Sequence, residues 1–321
     1  MPRLIIQIPA YNEEATIGTT LLALPRQVPG FDRVEWLLID DGSRDRTVEI
    51  ATQHGIDHVI RLTQNRGLAR AFMAGIEASL KLGADVIVNT DADNQYDAAC
   101  IPDLVRPIQD GHAQIVVGER PIMQIKDFSL LKRVLQRLGS AVVKFVSATA
   151  TPDAPCGFRA IHRDAALQMY VFGNYTYTLE TLIQAGRKNL PVMSVPIRVN
   201  RTTRKSRLIR SLPSYVLKSL VTMVRIFVLY KPLRFFILIG TLFLVPGLII
   251  GMRFLYDYLS GEGGGHIQSL ILAAILIVMS GITYAAGLIA DLIAANRVLL
   301  EDVRMRLLRA EIDPANRRAP G

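Results

Sequence analysis

The sequence predicts an α/β domain on a mostly parallel sheet, followed by juxtamembrane helices and two transmembrane helices. Three observations lead there. From Leu4 to about Val199, short apolar runs alternate with longer amphipathic ones, the pattern of strands joined by crossover helices. Beyond them, Phe235 to Met252 and Ile267 to Ala290 are uncharged runs of 18 and 24 residues, each long enough to cross a bilayer. Before the first of these, Arg198 to Arg234 holds ten Lys or Arg and no Asp or Glu.

In chain order, the expected strands are Leu4 to Ile8, Glu35 to Ile39, His58 to Leu62, Asp85 to Asn89 and Gln114 to Val117, with Pro191 to Arg198 closing the domain. Helices are expected around Ala15 to Leu24, Arg46 to His54, Leu68 to Leu82 and Ile101 to Gly111. Their placement between strands implies parallel pairing with both faces of the sheet covered. Ligands of such sheets bind beyond the carboxyl ends of the strands. The domain boundaries read from this pattern are residues 1–210 for the α/β domain, 211–234 for a juxtamembrane helix, 235–290 for a two-helix membrane hairpin and 291–321 for a C-terminal amphipathic helix and tail.

In the apolar part, Pro246 and Gly247 would break a soluble helix but are common in spanning ones. A pair of buried core helices is the competing reading. The joining segment, Arg253 to His266, carries one Arg, one Asp and one Glu, whereas both outer flanks are rich in Arg. The positive-inside bias then puts both termini in the cytoplasm. Tyr215 to Tyr230, with Lys218 and Arg225, and Asp291 to Ala310, with Arg297, Arg304 and Arg306, are amphipathic at helical spacing. Both read as helices at the membrane surface, although Val298, Leu299, Val303 and Leu307 would equally serve a solvated or coiled-coil helix. The first apolar run, Leu4 to Ala10, meets Glu13 and Glu14 too soon for a signal peptide.

The net charge of +9 comes almost wholly from the basic block. Charge concentrated before an apolar segment suits anionic headgroups and points away from nucleic acid. The two cysteines, Cys100 and Cys156, stand far apart, and His54, His58, His112, His162 and His266 fall on different elements. Neither a disulfide framework nor a zinc site is indicated.

The residues fit for chemistry follow the strands. Pro9-Ala10-Tyr11-Asn12-Glu13-Glu14 stands where a dinucleotide-binding dehydrogenase places its glycines, and neither G-x-G-x-x-G nor a Walker A sequence occurs. Asp40-Asp41-Gly42-Ser43 offers adjacent carboxylates for ribose hydroxyls and base edges, but reads equally as a turn before a helix. Asp91-Ala92-Asp93-Asn94-Gln95 is sharper. Two carboxylates and an amide at alternate positions present several oxygens to one hard cation, magnesium or manganese, that bridges phosphate oxygens. The competing reading has both acids capping turns. Asp153, Glu180, Tyr175 and Tyr177 read as sugar contacts or, more simply, as caps and half-buried contacts.

With these pieces in order, and with Asn65-Arg66-Gly67, Val117-Gly118-Glu119-Arg120 and Cys156-Gly157-Phe158-Arg159 added, the chain resembles family 2 glycosyltransferases of the GT-A fold, close to dolichol-phosphate mannose synthases and bacterial polyprenyl-phosphate glycosyltransferases. The resemblance implies a Rossmann-like GT-A domain that takes a nucleotide diphosphate sugar and a polyprenyl phosphate at the membrane. It implies that Pro9, Ala10, Tyr11, Glu13, Asp40, Asp41 and Arg66 hold the nucleotide. It assigns a divalent cation, Mg2+ or Mn2+, to Asp91, Asp93 and Gln95, and the acceptor phosphate to Arg120 and Arg133. It also leaves room for a homo-oligomer.

Two departures stand out. Cys156 replaces a frequent Ser, and Arg201-Thr202-Thr203-Arg204-Lys205-Ser206-Arg207 lacks the glycine of the family's Arg-x-x-Gly-x-Ser-Lys. The phosphate contact there is open among Arg201, Arg204 and Arg207. Processive synthases carry Gln-x-x-Arg-Trp, whereas the one tryptophan here is Trp36, in a strand. A phosphate monoester is already anionic near neutral pH, so this acceptor needs positive charge more than it needs a base. A membrane-bound sugar nucleotidyltransferase and a non-catalytic nucleotide-sugar-binding membrane protein are the alternatives.

Overall fold

In the computed structural model of the chain, the described residues are 1–121, 152–171, 177–200, 221, 224–225, 228, 230–261 and 267–312. Arg133, Tyr175, Arg201, Arg204 and Arg207 lie outside them, as do most of the expected juxtamembrane helix and of the C-terminal tail. The chain forms two units, one of Met1–Ser219 with Asp302–Gly321 and one of Leu220–Glu301.

The first unit is built on a seven-stranded sheet. Its strands are β1 (Arg3–Ala10), β2 (Arg33–Asp40), β3 (His58–Arg61), β4 (Val86–Asn89), β5 (Ile115–Glu119), β6 (Arg159–His162) and β7 (Val192–Pro196), in the order β3-β2-β1-β4-β6-β5-β7. Strand β1 lies inside the sheet between β2 and β4, and Leu4 to Ala10 are buried without alternation, as befits a strand covered on both faces. All pairings are parallel except those of β6, which is antiparallel to β4 and β5. The expected strands are all present. The fold adds β6, whose four residues begin with a buried arginine and so show no apolar run.

Helices α1 (Ile17–Ala23), α2 (Thr47–Gln53), α3 (Leu68–Lys81) and α4 (Ile101–Gln109) occupy the expected crossovers. In α3, Ala69, Phe72, Met73, Ile76 and Leu80 are buried at three- and four-residue spacing, and they pin the helix to the sheet. Two further helices, α5 (Arg163–Gln168) and α6 (Tyr177–Arg187), follow β6.

The second unit contains α7 (Pro232–Leu259) and much of α8 (Ile267–Ile312). Both are long and apolar enough to cross a membrane, with mean hydropathies of 2.5 and 2.2. Only 11% and 17% of those windows are buried, which is the reverse of a soluble core helix. Small residues let the two helices approach. A Cβ on Gly240 would lie 2.4 Å from the Tyr284 ring, and one on Gly287 would lie 2.6 Å from Phe236. Thr241 Oγ1 and Tyr284 Oη are 2.9 Å apart.

Where the sequence separates a spanning helix from an amphipathic helix at 291, the structure has one uninterrupted α8. No glycine or proline stands between Asp291 and Ile312 to end it. Its final turns belong to the first unit: Arg304 pairs with Glu77 of α3, donates to the Met169 carbonyl and lies 4.4 Å from the centre of the Tyr170 ring. Lys81 meets Glu311 at 2.7 Å.

Candidate functional site

Parallel β1, β2 and β4 send their following loops out of one edge of the sheet, and β5 delivers Arg120 to the same edge. Because β6 runs the other way, its start arrives there, with Arg159 opposite Asn89. The chain before it, from Asp153 to Phe158, is therefore set beside Asp91.

The first two loops are stitched together. Asn12 adopts φ 52°, a left-handed conformation that asparagine tolerates better than most residues. Its N–H donates to Ser43 Oγ and its Oδ1 accepts from the Arg44 N–H, each at 2.9 Å. The Glu13 N–H donates to Thr47 Oγ1 at 2.8 Å. Pro9 and Ala10 are buried under this junction, while Tyr11 is exposed.

The two acids after β2 hold loops in shape. Asp40 accepts from the Ser43 N–H at 2.9 Å. Both oxygens of Asp41 are engaged, by the Arg66 N–H at 2.7 Å and the Gly67 N–H at 2.9 Å. The backbone of Arg66 is thereby fixed while its side chain is exposed. Gly42 is obligatory here: it has φ 75°, and a Cβ would come within 2.7 Å of the Gln64 carbonyl carbon.

After β4 the acidic loop turns through Asn94, at φ 54°. Asp93 accepts from the Gln95 N–H at 3.1 Å, and Asp91, Asp93 and Gln95 are all half-buried. Residues past β7 clasp the same loop, with the Asn200 N–H donating to the Gln95 carbonyl at 2.9 Å and Asn200 Nδ2 to the Asn94 carbonyl at 3.0 Å. Burial, then the neighbouring Asp93, pushes the Asp91 carboxyl up to about 6, against opposing contributions from Tyr96 and Arg120. Glu13 adds to the negative field.

A cation would suit this arrangement because it would offset the burial and the Asp93 repulsion that raise Asp91. Among the described residues no group of three or more His, Cys, Asp or Glu forms a complete cage. Two carboxylates and an amide leave the remaining positions to phosphate and water, the habit of Mg2+ and Mn2+ rather than of zinc.

Arg120 forms a bidentate pair with Asp153, Nε to Oδ2 at 2.7 Å and Nη2 to Oδ1 at 2.9 Å. Burial alone would lower the guanidinium pKa, but this pair outweighs it and raises it. Asp153 is fully buried and anchors Arg120. Arg159, 1% exposed, donates to the carbonyls of Cys156 (2.8 Å) and Ala154 (2.6 Å) and to Thr181 Oγ1 (2.6 Å). It moulds the segment before β6 from inside. The Cys156 thiol is buried, and burial pushes it up to about 11.

Under the acids runs a buried polar chain that sequence reading missed. Gln7 Nε2 donates to Asn89 Oδ1, and Asn89 Nδ2 donates to the Gly157 carbonyl and to Tyr177 Oη, each at 2.9 Å. The available signal was a polar residue inside each of two otherwise apolar strands, LIIQIPA and VIVN. Glu180, also buried, lies on α6.

The protein is thus a GT-A-like α/β domain whose strand exits gather paired acids and an anchored arginine. Residues 5–169 match the family described as Glycosyl transferase family 2, and the chain belongs to that family. It is 27% identical to the undecaprenyl-phosphate mannosyltransferase of Micrococcus luteus over 61% of this chain and 82% of the relative. It is 29% identical to the UDP-N-acetylglucosamine–dolichyl-phosphate N-acetylglucosaminyltransferase of Methanococcus voltae, over 60% and 83%. Among solved structures, the glucosyl-3-phosphoglycerate synthase of Mycobacterium tuberculosis, bound to phosphoglyceric acid, superimposes with TM-score 0.55 at 20% identity, over 69% of this chain and 80% of that one. The same enzyme has been solved with Mn2+ and UDP, at TM-score 0.51 and 21% identity over 69% and 80%. That likeness concerns the fold.

Proposed function

We propose that this glycosyltransferase moves a sugar from a metal-bound nucleotide diphosphate sugar to a polyprenyl phosphate at the cytoplasmic face of a membrane, inverting the anomeric carbon in one displacement. The observation that carries the reading is the Asp91 and Asp93 pair at the exit of β4, where burial and mutual repulsion hold Asp91 well above an ordinary carboxylate. The M. luteus and M. voltae relatives are named for polyprenyl-type phosphate acceptors, and two helices able to cross a membrane suit such a lipid.

In this reading Pro9, Ala10, Tyr11, Glu13 and Arg66 line the nucleotide side, and Asp40 and Asp41 act there by shaping the loops that reach it. Asp91, Asp93 and Gln95 hold the cation. When bound, Mg2+ or Mn2+ neutralises the departing diphosphate. Arg120, oriented by Asp153, meets the acceptor phosphate together with Arg133 and with Arg201, Arg204 or Arg207. The acceptor is the stronger nucleophile for being already ionised, its second pKa lying at about 6, so no side chain has to remove its proton.

Asp93→Asn is expected to lower metal-dependent transfer by at least about a hundredfold, the scale of losing preorganised charge stabilisation, while the protein still folds and inserts. The assay uses labelled donor with lipid acceptor, and wild-type turnover in the variant would refute the assignment. The sugar and the base follow from incubating membranes with a panel of nucleotide sugars and weighing the lipid product.

A further inference from the structure

The loop from Asp91 to Tyr96 is held by its carbonyls. That of Ala92 lies 3.0 Å from Thr20 Oγ1 of α1, and those of Asn94, Gln95 and Tyr96 all meet one residue beyond β7. Asn200 donates its backbone N–H to the Gln95 carbonyl at 2.9 Å, and its Nδ2 to the carbonyls of Asn94 at 3.0 Å and Tyr96 at 3.3 Å. Asn94 Oδ1 stands 3.4 Å from the same nitrogen. A side-chain amide set among oxygens presents its nitrogen, the end that donates. Around it the two segments run antiparallel, with Tyr96 bridged to Val199 and the Asp97 N–H donating to the Arg198 carbonyl at 3.2 Å. An ion pair of 2.7 Å between Arg198 and Asp97 lies on the exposed side of this pairing. Asn94 has φ 54°, a left-handed conformation that asparagine visits but does not hold by itself.

We propose that Asn200 is a positioning residue: by capping three successive carbonyls it holds the left-handed turn at Asn94, and with it the spacing of Asp93 and Gln95 that takes the cation. The proposal rests on the metal role given to those two residues above. They flank the turn, so a rotation at Asn94 moves one ligand relative to the other. A loop without the clasp would give its carbonyls to water and sample other turns; the clasp removes that freedom before the cation arrives. An amide suits the task because it supplies two donors and no charge, and so does not compete with the cation for Asp93.

The test titrates Mn2+ alone into the full-length protein in detergent, followed by electron paramagnetic resonance, beside the metal dependence of transfer. Asn200→Ala and the similarly sized Asn200→Leu both remove the amide. Each is expected to weaken Mn2+ binding about tenfold, the scale of one or two neutral hydrogen bonds, and to raise the half-saturating metal concentration equally, with kcat at saturating metal within about threefold of wild type. A merely structural role would lower the folded fraction and leave the metal affinity of the folded protein unchanged. Arg198→Ala removes the exposed ion pair between the same two segments and leaves the amide, so its metal affinity should stay within about twofold of wild type. If either Asn200 variant, folded, binds Mn2+ like wild type while Asp93→Asn binds it weakly, the positioning role is wrong and the functional reading stands. Weakening by Arg198→Ala as large as that by Asn200→Ala would make the effect one of pairing between the segments and overturn the proposal. Wild-type Mn2+ binding by Asp93→Asn would overturn both.

Discussion

Asp91 carries a consequence that can be measured without substrate. Its carboxyl stands at about 6 in the folded chain, through burial and then Asp93, against 3.8 in the absence of such surroundings. A raised carboxyl favours the folded state while protonated, so this contribution is full below about pH 4 and is lost as pH rises through about 6. A cation that binds only the carboxylate reverses the loss. We expect Mn2+ to raise the melting temperature more at pH 7.5 than at pH 5, with an apparent affinity about tenfold weaker at the lower pH. An equal shift at both pH values would show that Asp91 is not a ligand. Arg159 makes a different kind of residue-level claim. Replacing it by alanine strands the buried carbonyls of Ala154 and Cys156, at about 1–3 kcal/mol each. A urea midpoint shift equivalent to at least about 2 kcal/mol is expected, and an unchanged midpoint would contradict the clamp.

Among the elements, β6 and the end of α8 do the most that local pattern does not announce. Asp91-Ala92-Asp93-Asn94-Gln95 is legible because a strand of continuous apolar residues points at it, and the same holds for the loops after β1 and β2. Arg120 meets Asp153, and Asn89 meets Gly157, only because a four-residue antiparallel strand inserts between β4 and β5. That pairing joins residues about seventy positions apart, and nothing in RAIH foretells its partner. At the end of α8, the heptad-like Val303 and Leu307 fit three environments equally, and their spacing does not foretell that Arg304 meets Glu77 and Tyr170. Arg304→Ala removes the pair with Glu77, the bond to Met169 and the cation–π contact. Since Glu77 is 44% exposed, the expected cost is about 1 kcal/mol, read as a lowered melting temperature of the full chain. No change would mean that the final turns of α8 are not held there.

The molecule as a whole pairs a domain with acids at one sheet edge and a hairpin of two apolar helices. The orientation we propose rests on charge, since basic residues crowd the outer flanks of the hairpin and not its short connection. We expect Ser260→Cys to react with an impermeant thiol reagent from the outer side of intact cells, and Ala295→Cys only after the membrane is opened. Both native cysteines are buried and give little background. Labelling of Ala295→Cys in intact cells would reverse the topology and remove the cytoplasmic donor from reach.

From residue order alone come the strands of the parallel core, the strand exits that bear acids, and the two apolar runs long enough to cross a bilayer. Each is a local property, fixed by periodicity, by the reach of a crossover and by the thickness of a bilayer. Tertiary contact alone decided that Asp41 shapes a loop, that Asp153 secures Arg120 and that Arg304 meets Glu77. These depend on which distant groups are brought within hydrogen-bonding distance, and on the cost of burying a charge or an amide without a partner.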